Sequence, residues 1–225
     1  MKKLPSTLPN MVLSLVGICL VVSGVLALLN DITQAPIAEA KVRAKVDAIK
    51  QVTPEFDNNP YQERFSVLLE GDKDSLMIYP ASMGEICVGY AIETYTNNGF
   101  NGRISLMMGL DTAGVLVDFS VLELSETPGL GTKIPEWFHT ASNKGHIQDM
   151  RGLNMPEKAP LKVTKDGGEV DAITAATISS RAFLDAVNRG YNAYLQIKGQ
   201  ATDGVSGATA QADDTDQTTN EQVTE

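Results

Sequence analysis

RISLMMGLDTAGVLVDFSVLEL, residues 103–124, sets two β-type apolar runs on either side of Asp111-Thr112-Ala113-Gly114, a turn signal. The pair predicts an antiparallel hairpin. Met107 and Met108 fall inside it and read as core filling. Upstream, RFSVLLE, SLMIYP and GEICVGYAIETYT repeat the pattern between Gly, Asn and Asp-containing turns, so residues 64–124 predict an antiparallel sheet. Downstream come a Gly/Pro loop at 126–133, a less regular stretch with Trp137 and Phe138, and a helical pattern from about Ser180 to Lys198. In that pattern Phe183, Val187, Tyr191, Tyr194 and Leu195 share a face, and Gly199 is placed to end it. Strands followed by a packed helix predict an α+β domain over residues 60–199.

Ahead of this domain, Met11–Leu29 reads MVLSLVGICLVVSGVLALL without a charge. At a rise of ~1.5 Å per residue it is long enough to cross a hydrocarbon core. It predicts a transmembrane anchor over residues 11–30. Lys2 and Lys3 precede it and Asp31 follows, which places residues 1–10 in the cytoplasm and the domain outside, in a single pass of the cell inner membrane. Ala38-Glu39-Ala40 has the form of a signal-peptidase site. The apolar run is longer than the roughly 7–15 residues of a signal core and ends well before it, which favours an uncleaved anchor. Residues 31–59 predict a juxtamembrane helical stalk, with Thr33 as a cap, Pro36 in the first turn and Ile37, Ala40, Ala44 and Ala48 at helical spacing. Residues 200–225 are rich in Asp, Thr, Gln and Glu and predict a disordered acidic tail.

Composition narrows the functions. A net charge of −10 with no clustered basic surface argues against nucleic acid as a partner. Cys19 lies inside the apolar run and Cys87 far outside it, so the two do not form a disulfide framework. Cys87, in a β-run, reads as a small core residue. His139 and His146 have no acidic or thiol companion at metal-ligand spacing and read as loop histidines, which disfavours haem, iron–sulfur and structural zinc.

The chemistry concentrates at Asp171-Ala172-Ile173-Thr174-Ala175-Ala176-Thr177-Ile178-Ser179-Ser180, directly before the last helix. Small residues at 175 and 176 allow close backbone approach, and the free N–H groups of a helix start suit a phosphate. On local physics a plain Ser/Thr-capped helix start explains the same residues. At Ser125–Lys133, Pro128-Gly129 forms a turn whose exposed N–H groups suit a planar ring, or is merely a tight turn.

Together the two segments carry a resemblance. Asp171, Thr174, Ala176 and Thr177 match the flavinylation motif Asp-x-x-Ser/Thr-Gly-Ala-Thr of the FMN-binding domain family. That domain is shared by the G subunit of Rnf electron-transport complexes and the C subunit of sodium-pumping NADH:quinone oxidoreductases. Ala175 stands where the family usually has Gly, a departure that keeps the turn only if the Ala175 φ is negative. Glu126-Thr127-Pro128-Gly129-Leu130-Gly131 resembles the family's ETPGLG loop near the flavin, and residues 89–110 resemble its core strands. Anchor position and motif spacing fit the Rnf G subunit better than the longer quinone-reductase subunit.

The resemblance implies FMN attached covalently through its phosphate to Thr177 by a flavin transferase. It implies an electron carrier that works with the other subunits of a membrane complex coupling ferredoxin:NAD electron transfer to ion translocation, and that is not active alone. Alternatives are the quinone-reductase subunit, a flavin-based sensor or electron-transfer module, and a non-redox anchored binding domain. In the tail, Asp203-Gly204-Val205-Ser206-Gly207-Ala208-Thr209 fits the motif even more closely. Context favours Thr177, since the tail offers neither a helix dipole nor a wall for the ring, and leaves Thr209 as a second acceptor.

Overall fold

The computed structural model describes residues 7–202 except 70, 73, 143 and 144, with side chains to Gly199. Helix α1, Leu8–Val52, is a single 45-residue helix. The expected break between anchor and stalk does not occur. Thr33 does not cap, because its hydroxyl donates to the Leu29 and Asn30 carbonyls inside the helix, and the helix runs on through Pro36. Its apolar part is exposed along its whole length, as expected of a segment long and apolar enough to cross a membrane. Gly199 does not end the last helix, which runs on to Thr202; the rest of the acidic tail, residues 203–225 with Thr209, lies outside the described residues.

The expected antiparallel sheet is present as a six-stranded meander in the order β1-β2-β3-β4-β5-β6. Its strands are β1 Phe65–Val67, β2 Leu76–Met83, β3 Ile86–Thr96, β4 Ile104–Asp111, β5 Val115–Leu124 and β6 Leu153–Asn154. The β4–β5 hairpin closes through the Gly114 N–H on the Asp111 carbonyl, and the Asp111 carboxylate takes the N–H groups of Ala113 and Val115. The sheet has two covered faces, which explains why β4 is apolar almost throughout. Its residues Ile104, Leu106, Met108 and Leu110 pack into the main core, and Met107 packs on the opposite face with Tyr79 and Ala91. The two methionines are core residues, as expected, but of different cores.

Helix α4, Thr177–Thr202, covers the main face. Phe183, Val187, Tyr191 and Tyr194 are buried there; Leu195, expected on the same face, is 45% exposed. Phe183 stacks on Phe138 with ring centroids 4.3 Å apart and lies against Phe119 at 4.9 Å, so Phe138 closes the core. The connection before α4 holds short helices α2, Ile134–Trp137, and α3, Met155–Lys158. The half-buried Cys87 sits at the start of β3 instead of in the core.

The end of α1 covers the second face, burying Ala48, Ile49 and Val52. Lys45 Nζ lies 2.9 Å from the Glu93 carboxylate, which also accepts the Tyr79 hydroxyl at 2.9 Å. Burial, together with that carboxylate, pushes the Tyr79 phenol well above its usual range. Contact is closest at Gly109, where a Cβ would stand 1.7 Å from the Val52 carbonyl oxygen. Gly109→Ala is therefore expected to lift the end of α1 off the sheet and cost ~2 kcal/mol or more. Thermal unfolding of the detergent-solubilised chain and limited proteolysis near residues 52–60 measure this; unchanged melting would contradict the packing.

Candidate functional site

The approach to α4 is built residue by residue. Val170 bridges to both Ile147 and Val163, and the Asp171 N–H donates to the Ile147 carbonyl at 2.8 Å. Trp137 Nε1 donates to the Asp171 carbonyl at 3.0 Å, and Ser142 Oγ donates to the Asp171 carboxylate at 3.1 Å. Asp171 thus fixes the segment that leads into the motif. Ile173 is buried, and a turn follows that the Ala176 N–H closes on the Ile173 carbonyl at 3.0 Å.

Ala175 occupies the third position of that turn at φ 63°. The expectation that alanine would need a negative φ is overturned: the chain keeps the turn and places alanine in the left-handed region. A turn of this kind calls for glycine at this position, which accounts for the glycine of the motif.

Helix α4 starts at Thr177, three residues earlier than the Ser180 start expected from the sequence. Neither serine acts as its cap. Ser180 Oγ accepts the Ile173 N–H and donates to the Ala176 carbonyl, holding the preceding turn, and Ser179 Oγ donates to the Glu126 carboxylate at 2.8 Å. The first intrahelical bond is Ser180 N–H to the Ala176 carbonyl, which leaves the N–H groups of Thr177, Ile178 and Ser179 at an open helix start.

Glu126 is buried and also accepts the Asn101 N–H at 3.4 Å. After it, Thr127-Pro128-Gly129-Leu130 makes a turn with Gly129 at φ 76° and the Leu130 N–H on the Thr127 carbonyl. The Gly129 N–H donates to Thr132 Oγ1 at 2.9 Å. The turn's N–H groups, expected to face a ring, are instead used within the loop at Gly129 and Leu130. At Gly131 the loop meets the helix: a Cβ there would lie 2.6 Å from Ser179 Oγ and 2.7 Å from Glu126 Cβ.

Between loop and helix lies a cavity of about 270 Å³. Thr127, Leu130 and Gly131 line it from the loop, Ala175 to Ser179 from the motif, and Phe100 from the β3–β4 connection. Of the residues read from the sequence, Thr177, Ala175, Ala176, Thr127, Leu130 and Gly131 are brought together here. Glu126 stands behind the wall, Pro128 and Gly129 shape the turn, and Thr174 is exposed on the motif turn. Asp171 holds the approach and does not line the cavity.

Four contributors were missed: Phe100, Ile178, Ser179 and Lys165. Lys165 sits in the 3₁₀ turn Thr164–Asp166, and its Nζ donates to Thr177 Oγ1 at 3.1 Å. Arg181 clamps the neighbouring Asp166 through two bonds of 2.7 Å, and this hydrogen bonding holds the Asp166 carboxyl below its usual range. An aromatic in the turn sequence NNGFNG was a usable signal for Phe100. Lys165 gave none, being joined to Thr177 by folding alone.

Among the cavity's lining residues, Phe100, Leu130 and Ile178 are 66%, 38% and 48% exposed, an apolar rim suited to a planar ring. The Thr177 hydroxyl beside an ammonium group and an open helix start suits a phosphate. Residues 99–192 match the family of FMN-binding domains. Over 184 residues the chain is 32% identical to the G subunit of the ion-translocating oxidoreductase complex of Shewanella amazonensis, covering 79% of this chain and 83% of that protein. The corresponding Cereibacter sphaeroides protein is 32% identical over 183 residues (78% and 80%), and that of Shewanella loihica is 33% identical over 184 residues (78% and 84%). The chain belongs to the family formed by the G subunits of ion-translocating oxidoreductase complexes.

The left-handed Ala175 has a measurable consequence. An L-residue there costs ~1–2 kcal/mol, partly offset by the greater freedom of glycine in the unfolded chain, so Ala175→Gly should stabilise by about 0.5–1 kcal/mol. For a domain of this size that raises the melting temperature by roughly 1–4 °C. A lowered melting temperature on differential scanning would contradict the turn geometry.

Proposed function

We propose that this chain is the electron-carrying flavoprotein subunit of a membrane ion-translocating oxidoreductase, with FMN joined through its phosphate to Thr177 Oγ1. The observation that carries this reading is the shared cavity. Two segments about fifty residues apart in sequence, each matching a motif of the family, meet around one hollow with the Thr177 hydroxyl at its edge. The roles of the residues follow from their places. Thr177 is the attachment point and takes no part in turnover. Phe100, Leu130 and Ile178 offer apolar contact to the ring, and Gly131 permits the loop to lie close to the helix.

The cavity, at about 270 Å³, is smaller than the ~300–1,000 Å³ of most small-molecule sites. Non-covalent contact over so small a hollow would equilibrate with a dilute flavin pool and empty, and an ester prevents that loss. Bound flavin supplies the redox chemistry, and the protein supplies position and surroundings. The relatives' name supports a place among other subunits of such a complex, and the family resemblance supports ferredoxin:NAD transfer as the reaction served. Lys2 and Lys3 before the apolar helix support a cytoplasmic N-terminus and an extracytoplasmic flavin domain on the inner membrane. The span Met11–Leu29 carries no ionisable side chain besides Cys19, so the ion path belongs to other subunits. A second reading adds flavin at Thr209, favoured by its closer motif fit.

Coexpression with a flavin transferase, followed by denaturing electrophoresis and in-gel flavin fluorescence, tests the assignment. Wild type and Thr177→Ser are expected to fluoresce, and Thr177→Val to lose most or all of the signal. Undiminished fluorescence in Thr177→Val would overturn it.

A further inference from the structure

Resting on the assignment of Thr177 above, we infer that Lys165 is the cation of the attachment site, orienting the Thr177 hydroxyl for phosphoryl transfer and then pairing with the phosphodiester that links the flavin. The basis is geometric. Lys165 Nζ donates to Thr177 Oγ1 at 3.1 Å, although the two residues are twelve positions apart and belong to different elements. The turn carrying Lys165 is fixed on both sides. Asp166 is clamped by Arg181, one turn into α4, and Val163 pairs with Val170. Gly168 packs so closely that a Cβ would stand 2.1 Å from the Lys162 carbonyl oxygen. The backbone carrying Lys165 is therefore held in place, and from it the exposed side chain reaches Thr177.

Charge gives the contact its meaning. The chain carries a net −10, and the buried Glu126 carboxylate sits behind the cavity wall, so an incoming flavin phosphate approaches an acidic protein. Among the cations around Asp166, Arg181 is engaged by that carboxylate, and Lys165 is the one that reaches the acceptor hydroxyl. An ammonium group donating to one lone pair of Oγ1 leaves the hydroxyl's other lone pair for attack and its proton for a base.

In the transfer, Thr177 Oγ1 bonds to the flavin-bearing phosphorus of a donor activated as a phosphoric anhydride. The anhydride P–O bond breaks, and its electrons leave with the second phosphate as a nucleotide. The hydroxyl proton passes to a base of the transferase. Lys165 keeps its protons, stabilises charge on the transferring phosphoryl oxygens, and afterwards faces the single negative charge of the diester.

The test is the initial rate of flavin incorporation by a purified transferase into the full-length, detergent-solubilised chain, followed by intact mass and in-gel fluorescence. Lys165→Met is expected to slow incorporation roughly tenfold or more, in line with the loss of a charge-stabilising donor, with unchanged melting. Lys165→Arg should recover most of the rate, and Lys162→Met, which alters an exposed neighbour, should leave it unchanged. Incorporation into Lys165→Met at the wild-type rate would overturn the inference while leaving Thr177 as the acceptor. An equal loss in Lys162→Met would also overturn it, because surface charge for docking the transferase would then be the cause. If the wild type takes up no flavin in a Thr177-dependent manner, the attachment reading fails and this inference with it.

Discussion

The hydrogen bond from Ser179 Oγ to the buried Glu126 carboxylate joins the two halves of the site. Glu126 follows the last long strand of the sheet, and Ser179 lies in the first turn of the helix that covers it. Each partner is buried, so loss of Ser179 would leave the Glu126 Oε2 oxygen, and loss of Glu126 the Ser179 hydroxyl, without this bond at a cost of ~1–3 kcal/mol. Gly131 is glycine because this junction is so tight, and Asn101 is drawn in by the same carboxylate. The cavity exists because these contacts hold loop and helix at a fixed separation.

Around that junction the chain concentrates its local order on the turn before the helix. Ile173 and Ala176 close it, Ser180 bonds it from below, and Ala175 is held in a conformation that alanine avoids. Strain of this kind persists only where the surroundings over-determine the backbone. Here they do, through Trp137 and Ser142 on Asp171 on one side and the packed helix on the other. The outcome is a threonine hydroxyl presented at the rim of a hollow of about 270 Å³, where the proposed ester would hold a flavin against loss to a dilute pool.

Much of this was legible in the sequence. Strand alternation and the Asp111–Gly114 turn predicted an antiparallel sheet with the β4–β5 hairpin, and the apolar run predicted the membrane-length part of the first helix. What escaped has physical causes. β6 is two residues long and leaves no periodicity. The stalk cap failed because Thr33 bonds backward within a continuous helix, and the last helix starts early because its serines serve the loop and the turn instead of capping. The two motifs were readable separately as residue patterns, their meeting was implied by the family resemblance alone, and Lys165 reaches Thr177 only through the fold. The supposed ring-facing N–H groups of the loop were misread because Thr132, two residues beyond the turn, accepts one of them.

Whether flavin is carried at the loop–helix junction on Thr177 is tested most directly by tryptic peptide mapping of protein coexpressed with a flavin transferase. Cleavage after Lys165, Arg181 and Lys198 puts Thr177 and Thr209 on separate peptides. Flavin mononucleotide mass is expected on the peptide spanning residues 166–181. Flavin found solely on the peptide spanning residues 199–225 would contradict attachment at Thr177 and move the cofactor to the tail.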